Sequence, residues 1–164
     1  MTALGLIHTL SAVSALLLGP NVFFRRKGTR LHKKLGYSYV ISMLMLNLTA
    51  FMIYRLFGGW GPFHWLAVVS LATMLAGFIP AFLKRPKNWI DWHYFSMTWS
   101  YVGLVAAAAA ETFTRLPDIW PQLAGQFPEQ FFWSAVAVGS FSVCGIGWYL
   151  INHRRLGYPT RRRA

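Results

Sequence analysis

Acidic side chains are nearly missing: 4 Asp and Glu stand against 16 Lys and Arg, and charged residues make up only 12% of 164. A water-soluble domain carries about a quarter charged residues, so a conventional soluble globule is excluded. The one cysteine, Cys144, lies inside an apolar run, which rules out an internal disulfide and a cysteine-based zinc site. No Ser/Gly linker or low-complexity stretch divides the chain, so residues 1–164 are expected to form one polytopic domain. What remains is apolar, 55% hydrophobic, and it comes in long blocks. The fold class this predicts is an all-α integral membrane protein.

A helix crossing hydrocarbon needs about 20 apolar residues. Five segments qualify: Ala3–Phe24, Leu35–Phe57, Phe63–Leu83, Trp89–Phe113 and Phe131–Ile151. The first four predict an up-down transmembrane bundle, with the fifth helix added to it. The first segment is not expected to be a cleaved signal, because no cation precedes it and Arg25-Arg26-Lys27 follow. Trp60, Trp65, Trp89, Trp92, Trp120 and Trp148 fall near the span ends, where interfacial belts form.

Of the 16 Lys and Arg, all but Arg55 and Arg115 then collect on one side, around Arg25–Lys34, Lys84–Lys87, Arg154-Arg155 and Arg161–Arg163. The other side keeps Glu111, Asp118 and Glu129. The positive-inside rule places the N-terminus outside and the C-terminus in the cytoplasm. It also makes the net charge of +12 topogenic and lipid-facing, so no nucleic acid is expected as a partner.

Each of the first four segments carries or abuts one histidine. His8 and His64 lie toward the outer face, and His32 and His93 open their helices on the inner face. Helices 1 and 3, and helices 2 and 4, are diagonal partners in an up-down bundle. The histidines therefore pair across the bundle at two depths, separated by roughly 20–25 Å at about 1.5 Å per residue. That arrangement suits two bis-histidine b hemes, with His8 and His64 on the outer iron and His32 and His93 on the inner. Ala12, Ala15 and Gly19 along the His8 face, Gly36 one turn after His32, and Ala106–Ala110 on helix 4 would make room for the porphyrins. Met97 and Tyr101 extend the His93 face as cofactor contacts. Lys27, Arg30, Lys33 and Lys34 would pair with propionates, while their field keeps His32 neutral and able to bind metal.

Blander readings stand beside these. A histidine at a helix end also serves as a polar cap, small residues pack helices without a cofactor, and Asn47 is a candidate bridge between helices. His153 has no histidine partner and reads as interfacial. Glu111 and Arg115 form an i,i+4 pair. Alternatively, Glu111 joins His8 and His64 in an outer zinc or non-heme iron site, or Glu111 and Arg115 take protons and anions near the outer heme.

Four stretches, "LIHTLSAVSALLLGP", "RKGTRLHKKLGYSYVISMLMLNLTA", "PFHWLAVVSLATMLAGF" and "WHYFSMTWSYVGLVAAAAAETFTR", resemble in order a bacterial membrane-protein family, domain of unknown function 2306. The resemblance runs from about Ile7 to Arg115, and K-G-x-x-x-H-x-x-x-G at Lys27–Gly36 is its most distinctive element. It implies the bacterial inner membrane and brings no activity with it. The plan of one histidine per helix is also similar to cytochrome b561, whose four core helices ligate two hemes. That likeness implies the pairs His8–His64 and His32–His93, and a reductant surface at Lys27 and Arg30. Three functions follow as expectations. The first is an electron carrier of cytochrome b type serving quinone, superoxide or a metal ion. The others are a metal-dependent membrane enzyme and a cofactor-free subunit of a larger membrane complex.

Overall fold

A computed structural model describes residues 2–54, 58–119 and 129–156. The described residues form five helices and no strand: α1 (Ala3–Phe24), α2 (Arg30–Ala50), α3 (Pro62–Leu83), α4 (Trp89–Ile119) and α5 (Glu129–Leu156). All five expected helices are present, and the differences lie at their ends. Hydropathy places the start of the second span at Leu35, yet α2 begins at Arg30, because the Thr29 hydroxyl accepts the His32 N–H at 3.2 Å and caps the first turn. Three basic residues thus become part of a helix whose apolar run starts later. At the other end α2 stops at Ala50, short of Phe57, and residues 55–57 lie outside the described set. The helix α4 continues past Phe113 to Ile119, and α5 starts before and ends after its apolar run.

The turn from α1 to α2 passes through Gly28 at φ +79, a left-handed conformation that glycine adopts without steric cost. Lys27 closes α1 by donating to the carbonyls of Val22 (3.1 Å) and Phe23 (2.7 Å), two of the acceptors a helix end leaves unpaired.

The chain makes two compact units, Met1–Leu104 and Val105–Ala164, and α4 runs from the first into the second. In the first, α2 packs on both α1 and α3. Its core is Ala15, Tyr39, Met43, Met74 and Leu104. Two glycines set how closely the helices approach. A Cβ on Gly19 would collide with the Tyr101 ring, and one on Gly77 would lie 2.9 Å from the Met97 backbone nitrogen. Asn47 does not need a second helix for its amide, which donates to the Met43 carbonyl in its own helix at 2.7 Å.

The distribution of polarity is inverted relative to a soluble protein. Buried positions include Asn47, Thr49, Ser96 and Ser100, whereas Leu6, Leu10, Leu17, Val69, Ile79 and Phe82 are exposed. Only lipid makes that pattern stable over a large surface, with small polar residues between helices and large apolar ones outside. By length and composition α1 and α3 are each able to cross a membrane. In the second unit Val138, Phe141, Ile146, Trp148 and Tyr149 of α5 are likewise exposed.

Candidate functional site

His32 and His93 approach each other where α2 and α4 begin, with ring centres 6.4 Å apart and planes at 83°. The His93 ring is fixed in both orientation and tautomer. Its Nδ1 lies 3.0 Å from the Gly77 carbonyl oxygen, which can only accept, so Nδ1 carries the hydrogen and the lone pair is on Nε2. A metal-binding histidine is typically held this way, by a backbone carbonyl on its second nitrogen. On His32, Nδ1 is buried and has no hydrogen-bond partner. This ring sits in the basic first turn of α2, ahead of the apolar run. Burial, and then the Lys27 ammonium, hold its pKa below the ordinary 6.5, and His93 adds to the effect against an opposing hydrogen bond to the Val22 backbone. The neutral form, which has a lone pair to donate, is favoured.

The basic residues divide by role. Lys27 is bound to the end of α1 and also lies over the Phe23 ring at 5.7 Å, so its charge reaches His32 from a fixed position. Arg30, Lys33 and Lys34 are exposed on the first turns of α2. Lys84, Arg85 and Lys87, between α3 and α4, are exposed as well.

Deeper along the same helices, the Tyr39 and Ser100 hydroxyls meet at 2.9 Å and join α2 to α4. Tyr101 fills the notch over Gly19 and donates to the Leu16 carbonyl at 3.2 Å, while Met97 lies against Gly77. A cavity of about 30 Å³ remains among Gly19, Val22, Phe23, Tyr39 and Met97. The face of Ala15 and Gly19, expected to admit a porphyrin, is thus filled by side chains of this chain. Gly36 is open, since a Cβ there meets no atom within 4 Å.

His8 and His64 are held differently. Thr49, near the last turn of α2, has its hydroxyl 3.0 Å from His8 Nδ1 and within hydrogen-bond reach of the carbonyls of Met45 and Leu46. When the Thr49 hydrogen goes to one of those carbonyls, Thr49 accepts from His8 and the His8 lone pair is on Nε2, the tautomer a ligand needs. His64 has the opposite tautomer. It occupies the third position of α3, where its Nδ1 accepts the Gly61 N–H at 3.0 Å, half of a capping box. In the neutral ring the hydrogen is therefore on Nε2, which is buried without a partner. An unmatched buried N–H costs about 1–3 kcal/mol. Tyr54 and Trp60 stack on His64 at 4.9 and 4.8 Å. In this rotamer His64 presents a donor where iron requires a lone pair.

Along α2, Thr49 and the His32 turn are about 25 Å apart at 1.5 Å per residue, so the contacts of His8 and those of His93 belong to opposite ends of one helix. Glu111 is half-buried in the second unit, and the Arg115 side chain lies outside the described residues, as do those of Arg55, Asp118, Glu129 and His153. Among the described residues no group of three or more His, Cys, Asp or Glu gathers as metal ligands. Sequence reasoning missed Gly77 and Thr49 as histidine partners, since both contacts join different helices. The His64 cap had a visible signal in Gly61-Pro62 followed by a side-chain acceptor at the third position.

A family model described as a predicted membrane protein, DUF2306, matches residues 5–140. No curated protein and no solved structure matches the chain. With most of its length covered by that model, this chain belongs to the family of predicted membrane proteins called domain of unknown function 2306.

Proposed function

We infer that this is a membrane electron-transfer protein of cytochrome b type, with the His32–His93 pair as its principal heme site. The observation that carries the reading is the 6.4 Å between ring centres. Two imidazoles on opposite sides of one metal, each about 2.1 Å from it through nitrogen, have centres about 6.5 Å apart. The buried, unpartnered Nδ1 of His32 and the anchored ring of His93 supply the donor set. Arg30, Lys33 and Lys34 lie beside it and would pair with propionates. A bound heme supplies reversible one-electron chemistry; the chain holds the ligand rings in the required tautomers and keeps His32 neutral. The full arrangement of four bundled helices plus one, with the N-terminus outside the bacterial inner membrane, belongs to this proposal. A second heme between His8 and His64 requires the His64 ring to turn over and give up its bond to Gly61.

One observation favours a second reading at the same pair. The cavity among Gly19, Val22, Phe23, Tyr39 and Met97, of about 30 Å³, is far smaller than a porphyrin, so a heme that extends into it requires Met97 to move, whereas a single metal ion between the two rings does not. The visible spectrum of the purified protein, with metal analysis of the same sample, separates the two. Low-spin b-type bands support heme. A colourless protein with one metal per chain, lost in His32→Ala and His93→Ala, supports the bare ion.

A further inference from the structure

His64 has a feature that neither a helix cap nor an iron ligand explains. Its side chain is 3% exposed, Gly61 holds Nδ1, and the hydrogen on Nε2 has no acceptor. Buried donors in native structures are almost always matched, and an unmatched one marks a missing partner. The ring is not free to search for one, because Tyr54 and Trp60 stack on it and Phe51 stacks in turn on Trp60 at 6.1 Å.

The N–H is itself buried, but the two rings stacked on it are half-exposed, and an acceptor drawn from the bilayer past them would be uncharged. It should be flat enough to enter among stacked rings, and soluble in hydrocarbon. A ring carbonyl meets all three conditions. We propose that His64 donates its Nε2 hydrogen to the carbonyl oxygen of a bilayer-dissolved quinone. Tyr54 and Trp60, 45% and 50% exposed, part to admit it. The redox meaning of such a site rests on the electron-carrier reading; the binding does not.

The test is a titration of decylubiquinone into the full-length protein in phosphatidylcholine nanodiscs, with the visible spectrum recorded in parallel. His64→Phe keeps the stacked ring and removes the donor, and affinity should fall at least tenfold. His64→Gln restores an N–H of similar reach and should stay within threefold of wild type. Thermal unfolding of each variant establishes that it is folded. Equal affinity in all three proteins, equal loss in both variants, or no saturable binding overturns the proposal. So does loss of a heme component in His64→Phe, which would make His64 an iron ligand. Phospholipid ester carbonyls offer the same acceptor, and nanodiscs of ether-linked lipid remove them. Unchanged affinity there supports the quinone, and tenfold tightening assigns the N–H to lipid. A colourless wild type that still binds quinone through His64 removes the electron-carrier reading and leaves this site standing.

Discussion

Gly77 and Gly36 look alike in the sequence, each a glycine in a helix near a histidine, and the structure separates them. Gly77 lets the α4 backbone come close and accepts the His93 hydrogen. Gly77→Ala places a methyl 2.9 Å from the Met97 nitrogen, and overpacking of that kind costs about 1–3 kcal/mol. It should lower the thermal midpoint and weaken metal or heme retention together. Gly36→Ala meets no neighbour and exchanges a flexible residue for the best helix former, which should stabilise by about 0.5–1 kcal/mol. If the two variants melt alike, the close approach of α3 and α4 is wrong. At His32, burial and Lys27 lower the folded-state pKa below 6.5. The folded chain then binds fewer protons than the unfolded one, so this group's penalty is absent above 6.5 and grows as pH falls below it. Metal should correspondingly be held to a more acid pH than by an ordinary histidine pair. Lys27→Gln removes the second cause, and an NMR titration of His32 should show its pKa rising; an unmoved or lowered value would contradict the assignment.

Among the elements of the first unit, α2 is the central one: it packs on α1 and α3, meets α4 through Tyr39, and carries His32 and Thr49 at its two ends. Its first turn depends on the Thr29 cap, so Thr29→Ala should cost about 1 kcal/mol and loosen His32 preferentially, read as earlier loss of the inner site on heating. A uniform drop with no selective effect on that site would argue against the cap as its support. The existence and order of the helices were legible because lipid demands long apolar runs, which composition records directly. Their ends were not, because a hydroxyl at Thr29 and a lysine folded onto Val22 and Phe23 decide them, and these are single contacts invisible to a hydropathy window. The place of each histidine along its helix followed from its position in the run. Their tautomers did not, since Gly77 settles which nitrogen of His93 carries the lone pair and Gly61 does so for His64, and Gly77 lies on another helix.

At the scale of the whole molecule, charge is the organising quantity. With nearly all of its cations gathered at Arg25–Lys34, Lys84–Lys87, Arg154-Arg155 and Arg161–Arg163, the chain should insert with that side cytoplasmic. A reporter fused after Ala164 should be active only in the cytoplasm; activity outside would reverse the faces and leave both histidine groups at their depths. The same charges should tune the inner site. Neutralising Arg30 or Lys33 singly to Gln would remove positive potential near any iron held between His32 and His93, whose midpoint potential should then fall. The shift should shrink in high salt, because exposed charges are screened over about 8 Å at physiological ionic strength. Equal shifts at every redox component, or none, would leave the basic turn with an insertion role only.

The most direct test of the His32–His93 site is the reduced-minus-oxidised visible spectrum of the purified wild-type, His32→Ala and His93→Ala proteins, with iron measured on each. The account predicts low-spin b-type bands in the wild type and their loss, with the iron, in both variants while the helical content is kept. A wild type with neither heme nor bound metal, or variants that both retain the wild-type spectrum and iron, would contradict it.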